Sequence, residues 1–403
     1  MAPARAESED EGAAAAQRPS LLPFEASAAL ETGGFFGHQV RRQSGMLVTP
    51  TIRLAPRLEA GAFRVELPVL LRHRQAVGTS LSESRGELGL EGRWAGGPGK
   101  LRLGVQAAVV GVWRPGWPDL YQPLAGGGYE PTDRYSHLDG RAGLQLSAVP
   151  FKHHHARLKY RFTAARYAWD PDYDAVFSPM HLAPFDSDRH ELSASWRYLG
   201  SGWKLGAVAS AWQSTSRYRF ARDAGSALTH SSPGGLPSNP LRLLRGVEPG
   251  LEAEWKSKVL HLEVSASFGY ELSIDTYQGY YTYGGVHPRL KLEYQPDERV
   301  YLALRGELRL REYGPQGYQA GLNGHPPLAW GKYRADHRFA VGLDGRFVLR
   351  PELELTLSLD WVRRETNFPA YVPGFYPANG LYDIDWNYMN WTAGLGVVWR
   401  LGS

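Results

Sequence analysis

The stretch that decides the fold is residues 300–311, Val-Tyr-Leu-Ala-Leu-Arg-Gly-Glu-Leu-Arg-Leu-Arg. Its even-numbered positions are Val, Leu, Leu, Gly, Leu and Leu, whereas every odd-numbered position from Arg305 onward is charged. Helical spacing cannot separate alternate residues onto two faces, but an extended strand does so at every step. The stretch therefore predicts a strand with one apolar and one hydrated face.

The same alternation recurs along most of the chain. Residues 352–361 set leucines and a tryptophan on one parity against Glu, Thr, Ser and Asp on the other, and residues 63–71 repeat the pattern. We count about sixteen such runs, many of about 10 residues, which is the length that a tilted strand needs to cross a bilayer. Strands of soluble proteins are shorter, at about 5 or 6 residues.

The connections between these runs alternate in length. Tight turns, such as residues 95–99 and 200–201, are followed by long loops, such as residues 114–136 and 221–246. An even strand count with short turns at one end and long loops at the other is typical of bacterial outer-membrane barrels. We therefore predict an all-β fold: a single transmembrane antiparallel barrel of about sixteen strands, with short periplasmic turns and long extracellular loops.

The composition narrows the classes of protein. The 403 residues include 13 tryptophans, 22 tyrosines and 14 phenylalanines, too many aromatics for a disordered chain. The absence of cysteine excludes disulfide scaffolds and thiolate metal sites. A net charge of +4 demands no nucleic-acid partner. The mean hydropathy of −0.39 is compatible with a membrane barrel, because every second residue of a barrel strand is polar.

Two segments are expected along the chain. Residues 1–21 predict a disordered N-terminal tail, and residues 22–403 predict the barrel. Ala4, Arg5 and Ala6 are similar to the small-residue end of a secretory signal, of which the tail would be a remnant. An ordinary solvated tail explains the same residues equally well.

The final run carries a more specific pattern. Thr392, Gly394, Val397 and Trp399 resemble the C-terminal assembly signal of outer-membrane barrels. Residues 23–401 are similar in architecture to porin-like barrels, although residues 400–403 follow where porins usually end on an aromatic residue. The resemblance implies a location in the bacterial outer membrane, contact with outer-membrane lipid, and recognition of the C-terminal strand by the barrel assembly machinery. The oligomeric state stays open, with a trimer as one candidate.

The charged parity is predicted to line an aqueous lumen, because side chains cannot fill a barrel of this width. The predicted pore-lining residues are Arg64, Arg102, Arg141, Arg157, Lys159, Arg161, Glu252, Glu254, Glu263, Arg289, Lys291, Arg305, Glu307, Arg309, Arg338, Arg346 and Glu354. Basic and acidic walls would place a transverse field across the lumen. Alternatively, these charges pair across strands, for instance Arg346 with Glu354, and only stiffen the wall.

Aromatic residues and one long loop supply two further predictions. Tryptophans at the strand ends are predicted to form a membrane aromatic girdle. These are Trp94, Trp113, Trp196, Trp203, Trp255, Trp361, Trp391 and Trp399. The third long loop, residues 114–136, is expected to narrow the pore as a constriction loop with Asp119, Glu130 and Asp133, or else to lie outside over the rim. Aromatic residues in the later loops make a saccharide a candidate ligand.

The function predicted from these features is passive diffusion of small polar solutes through a charged channel, without catalytic residues, metal or cofactor. The tract Lys152–His155 is a poor metal site because adjacent residues of an extended segment point to opposite faces. His190 and Ser193 likewise lie on opposite faces and cannot form a catalytic pair. Three alternatives stay open: a conduit for polysaccharide export, an outer-membrane hydrolase or receptor with a closed lumen, and a soluble all-β binding protein.

Overall fold

A single antiparallel sheet accounts for most of the molecule. The computed structural model describes residues 20–39, 41–77, 82–96, 100–115, 117–123, 129–132, 136–167, 186–220, 241–276, 282–314, 335–366 and 388–401. Among these residues there is no helix of sufficient length and apolar character to cross a membrane.

The strands follow the predicted runs closely. They are β1 (Ser20–Gln39), β2 (Arg41–Ala60), β3 (Phe63–Glu66), β4 (Val69–Ala76), β5 (Ser82–Gly96), β6 (Leu101–Trp113), β7 (Trp117–Pro123), β8 (Tyr129–Thr132), β9 (His137–Ala148), β10 (His154–Tyr167), β11 (Ser187–Leu199), β12 (Trp203–Phe220), β13 (Leu241–Ser257), β14 (Leu262–Asp275), β15 (Tyr283–Tyr294), β16 (Val300–Tyr313), β17 (Ala335–Arg350), β18 (Leu353–Thr366) and β19 (Tyr388–Leu401). The first strand thus begins two residues before the predicted barrel boundary, and residues 1–19 of the predicted tail lie outside the described residues.

Seventeen of these strands form one sheet, and β7 and β8 form a separate hairpin. Strands β3 and β4 share one position in the large sheet, because both pair with β2 on one side and β5 on the other. Leu67 and Pro68 interrupt the ladder between them, since proline has no backbone N–H to donate. The barrel therefore has sixteen strand positions, as predicted.

The sheet closes on itself through its first and last strands. Their register runs from Ala26 opposite Leu401 to His38 opposite Met389 without a shift. Closure leaves no sheet edge with unpaired N–H and C=O groups, which is the condition for a β-structure to span a bilayer. The predicted fold class, a single closed antiparallel barrel, is confirmed.

The two ends of the barrel differ. Tight turns join β2–β3, β5–β6, β9–β10, β11–β12, β13–β14, β15–β16 and β17–β18 at one end, which we call the short-turn end. Gly61 and Gly202 adopt φ angles of +58° and +78° in two of these turns, where a side chain would be strained. Most connections at the opposite, long-loop end are longer. The exceptions are the link between β1 and β2, where residue 40 alone separates the strands, and the five-residue link between β4 and β5.

The two faces of the sheet have opposite chemistry. Large apolar side chains such as Leu71, Leu88, Leu251 and Leu395 are exposed at 55%, 60%, 65% and 56%, and they share the outward parity of their strands. Most of the charged residues occupy the other parity. So large an exposed apolar surface is stable only in an apolar surrounding, which the hydrocarbon of a bilayer provides.

Candidate functional site: the inner wall of the barrel

Ion pairs between alternate strands identify the concave face. Arg197 on β11 pairs with Glu252 on β13, and Arg305 on β16 donates to Asp360 on β18 at 2.6 Å. Each pair passes over the strand that lies between its partners. Side chains converge on the inside of a cylinder and diverge on its outside, so the charged parity forms the inner wall.

A glycine lies beneath each of these two crossings. Gly206 stands in register between Arg197 and Glu252, and Gly342 stands between Arg305 and Asp360. A Cβ on Gly342 would lie 2.3 Å from Arg305 Nε and 2.7 Å from Asp360 Oδ1. The ion pairs therefore require a residue without a side chain at these positions. This relation joins three segments that are distant in the sequence, so it could not be found from the sequence alone.

A third crossing is more deeply buried. Arg311 on β16 reaches over Gly285 to Glu271 on β14, with Nη2 at 3.1 Å from Oε1 and 3.0 Å from Oε2. The Tyr283 hydroxyl donates to Glu271 at 2.7 Å, and the Arg311 guanidinium lies 4.5 Å from the centre of the Tyr283 ring. The carboxylate is thus held by a cation and a hydroxyl, and it stays fixed in the wall.

His287 joins further charges into a network on the same side. Its side chain is fully buried, with Nδ1 at 3.0 Å from a Glu248 oxygen and Nε2 at 3.2 Å from a Glu307 oxygen. Arg289 Nε lies 2.9 Å from His287 Nε2, and Arg338 donates to Glu307 at 2.6 Å. Among the predicted residues, Arg289, Glu307 and Arg338 therefore belong to one connected group.

The paired side of the wall contains a cavity of about 790 Å³, to which every strand from β11 to β18 contributes. Its ionisable lining residues are Arg197, Lys204, Glu252, Glu254, Arg289, Lys291, Arg305, Glu307, Arg338 and Asp360. Besides the pairs above, Lys204 pairs with Glu254, and Lys291 with Glu293 at 2.7 Å. Positive and negative groups compensate one another on this side, which we call the paired wall.

A second inner cavity of about 600 Å³ has a different charge balance. Its lining includes the basic residues Arg64, Arg93, Arg102, His155, Arg157 and Lys159. Arg64 and Arg93 have the glutamate partners Glu66 and Glu91. Within the described ranges, no carboxylate oxygen lies within 4.0 Å of Arg102, Arg157, Lys159 or Arg161. We call these four residues the unpaired basic cluster.

The unpaired basic cluster is accompanied by neutral hydrogen-bonding groups. Gln106, Gln145 and Ser147 line the same cavity. Arg157 lies opposite Ser147 on β9 and Ser195 on β11, and neither serine carries a charge. The Nε of Arg157 is buried and makes no hydrogen bond within the described residues. Arg157 on this side therefore faces neutral hydrogen-bonding residues and not carboxylates.

The remaining predicted pore-lining residues also occupy the inward parity. Arg141 pairs with Asp139 at 3.1 Å, Glu263 with Lys256 at 3.1 Å, and Arg309 lies 3.8 Å from Glu307. The considered pairing of Arg346 with Glu354 is not formed, because the register sets Thr356 opposite Arg346. Arg346 instead lies over the Tyr301 ring at 5.5 Å, and Glu354 accepts from Arg400 at 2.7 Å.

The structure describes the predicted girdle tryptophans, but it does not describe the acidic side chains of the predicted constriction. Strands β7 and β8 place a hairpin within residues 114–136, but Asp133 and the side chains of Asp119 and Glu130 lie outside the described residues. The eight girdle tryptophans occupy the outward parity. Trp94 packs against Phe63 at 6.5 Å and Trp361 against Trp391 at 5.9 Å. Their position at a membrane interface remains a prediction.

Comparison with known proteins finds likeness of structure alone. No family model matches the sequence, and no characterised protein matches it. OccD3 (OpdP) of Pseudomonas aeruginosa is similar with a TM-score of 0.48 and 8% identity, over 94% of this chain and 92% of that one. OccAB1 of Acinetobacter baumannii gives 0.46 and 8%, over 98% and 100%. OccK2 (OpdF) of Pseudomonas aeruginosa in complex with glucuronate gives 0.43 and 10%, over 96% and 99%.

Proposed function

We propose that this chain is a bacterial outer-membrane channel through which small polar solutes diffuse passively, with a preference for anions. The interior is the observation that carries the proposal. The buried apolar residues of the described chain are Ala55, Ala76, Val110, Val112, Tyr283, Ala303 and Tyr313. This set is far too small for a packed core, and most of the other inward side chains are charged or polar. A barrel of sixteen strands with such a wall holds water.

The preference for anions rests on the asymmetry of the wall. The paired wall presents compensated charges, whereas the unpaired basic cluster presents four cationic side chains without carboxylate partners. An unpaired cation acts over roughly a Debye length, which is about 8 Å at physiological ionic strength, and raises the local concentration of anions. Gln106, Gln145 and Ser147 add donors and acceptors for hydroxyl groups. A hydroxylated carboxylate is the class of solute that fits both features.

Planar-bilayer recording tests this proposal. We expect stable current steps. In a salt gradient, we expect a reversal potential with the sign that a higher permeability to anions than to cations produces. The double variant Arg157→Gln/Lys159→Gln should lower the ratio of anion to cation permeability by about twofold or more, because two fixed charges leave the wall. It should also slow glucuronate entry into vesicles more than glucose entry.

A matched control removes charge without changing the balance. Lys204→Gln/Glu254→Gln eliminates one ion pair from the paired wall, and we expect selectivity close to that of the parent chain. Absence of current steps would favour a receptor or hydrolase with a closed lumen. Cation selectivity in the parent chain, or equal effects of the two double variants, would reject the assigned role of the unpaired basic cluster.

A conduit for an exported anionic polymer is the second candidate, and it calls for a basic stripe along the whole wall. Beyond Arg161, the inward residues of β10 are Thr163, Ala165 and Tyr167. The arginines on either side of Thr163 are Arg141 and Arg189, and each has an acidic partner. The unpaired basic cluster thus spans only part of the barrel height, which favours a small solute over a polymer.

A further inference from the structure

The outward face carries three adjacent polar residues, His190, Gln213 and Arg245, where lipid is expected. Phe162, His190, Gln213, Arg245 and Ile274 stand in register across β10 to β14. They lie toward the long-loop end on the parity of the exposed apolar side chains. An arginine on the lipid face costs several kcal/mol at the bilayer centre but little near the interface. Its presence therefore points to a partner at the level of the headgroups.

Arg245 differs from other outward arginines near this end. Arg166 is neutralised by Asp188 at 2.6 Å, and Arg363 pairs with Glu365. Arg245 instead donates from Nε to the neutral Gln213 Oε1 at 3.0 Å. Its terminal nitrogens make no contact with a carboxylate of the described chain. The planar fork of the guanidinium is thus oriented by an amide while its remaining N–H groups stay available for an anion.

A groove of about 370 Å³ adjoins this guanidinium. Tyr160, His190, Gln213 and Arg245 form its polar part, and Leu192, Ala211, Val247, Leu272 and Ile274 supply its apolar surface. The Tyr160 hydroxyl and His190 Nδ1 are hydrogen-bonded at 2.8 Å, so the polar part is ordered. The small Ala211 leaves the depression between larger neighbours. His190, Gln213 and Arg245 stand in one row, and most of the apolar residues stand in the next outward row toward the middle of the barrel. This is the amphipathic order of a lipid molecule.

The apolar surface continues toward the middle of the barrel. A second outward groove of about 590 Å³ is lined by small residues that include Ala156, Ala194, Ala207 and Ala209. Ala209 and Ala211 are successive outward residues of β12, so the two grooves follow one line on the same strand. The row of polar groups and this line together have the shape of a headgroup and an acyl chain.

We propose that these grooves bind one phosphate-bearing lipid of the leaflet at the long-loop end, with its phosphate on Arg245. Two N–H groups of one guanidinium match two phosphate oxygens, and the contact is charge-assisted in a weakly hydrated place. An acyl chain lies along Ala211 and Ala209. The site is on the opposite face of the wall from the unpaired basic cluster, so it is independent of the solute that the channel passes.

Native mass spectrometry of the folded barrel tests this site. The protein is exposed in mild detergent to an equal mixture of phosphatidylglycerol, which is anionic, and phosphatidylcholine, which is zwitterionic. We expect one retained phosphatidylglycerol per chain. Arg245→Gln should reduce that retention by about tenfold, the usual loss for one charge-assisted bidentate contact.

Two further variants make the result specific. Arg363→Gln removes an outward arginine that already has a carboxylate partner, and retention should stay at the parental level. Ala211→Leu fills the groove without changing charge, and retention should fall although Arg245 is intact. Excess inorganic phosphate should displace little lipid if the acyl chain contributes to binding. Equal retention of both lipids, or equal loss in Arg245→Gln and Arg363→Gln, would overturn the proposal, whatever the channel conducts.

Discussion

At the scale of single residues, the inner wall depends on glycines, because glycine has no side chain. Gly206, Gly285 and Gly342 each stand beneath an ion pair between the two flanking strands. Because such pairs are partly hydrated, each contributes modest free energy by itself. Their larger effect is geometric, since they fix long charged side chains flat against the wall and keep them out of the lumen.

Replacing Gly342 tests this geometry. In Gly342→Leu the new side chain would occupy the space of Arg305 Nε and Asp360 Oδ1, so both must move. We expect the free energy of unfolding in lipid vesicles to fall by about 1–3 kcal/mol, the usual cost of overpacking. Urea titration followed by tryptophan fluorescence measures it.

A neighbouring glycine provides the control. Gly306 lies on the outward parity of β16, and a Cβ there would meet nothing within 4 Å. Gly306→Leu should leave stability unchanged or slightly raised. If both variants unfold at the same urea concentration as the parent chain, the crossings are not tightly packed.

At the scale of elements, the closing seam contains a tight backbone contact. Gly33 on β1 lies opposite Gly394 on β19, and a Cβ on Gly33 would stand 2.3 Å from the Ala393 carbonyl oxygen. Backbone atoms cannot rotate away as a side chain can. The first and last strands therefore meet at a place where only glycine fits.

Gly33→Val should impair closure of the barrel. We expect a smaller fraction of the protein to refold into the heat-modifiable form, which migrates faster on a gel when the sample is not boiled. Gly140→Val, at a position on β9 where a Cβ meets nothing within 4 Å, is the matched control and should refold like the parent chain. A parental yield for Gly33→Val would contradict the assigned tightness of the seam.

The sequence predicted the strands because alternation is a local property. In residues 300–311 every charged side chain of β16 could be assigned to one face before any neighbour was known. The break at Leu67 and Pro68 and the one-residue link between β1 and β2 were missed, because each depends on how neighbouring strands pair. The crossing from Arg305 to Asp360 was missed for a related reason. It joins positions 55 residues apart through a third strand, and the glycine beneath it leaves no hydrophobic signal.

At the scale of the whole molecule, the balance of positive and negative charge differs between one side of the inner wall and the other. From the sequence alone, the inward acids and bases could either form separate walls or pair across strands. In the structure most of the inward acids form ion pairs, especially on the paired wall. The four residues of the unpaired basic cluster have no carboxylate partner among the described residues. Which cations remain unpaired follows from the order of strands around the cylinder, and this order determines the proposed preference for anions.

The central claim is that the charged parity is in water while the apolar parity is in lipid. The chain has no cysteine, so single cysteines can be introduced without a background. In vesicles, a membrane-impermeant maleimide should label Arg305→Cys, Glu307→Cys and Arg309→Cys rapidly, and Leu304→Cys, Gly306→Cys and Leu308→Cys slowly or only after detergent is added. Equal labelling of both parities, or faster labelling of the leucine positions, would contradict the claim.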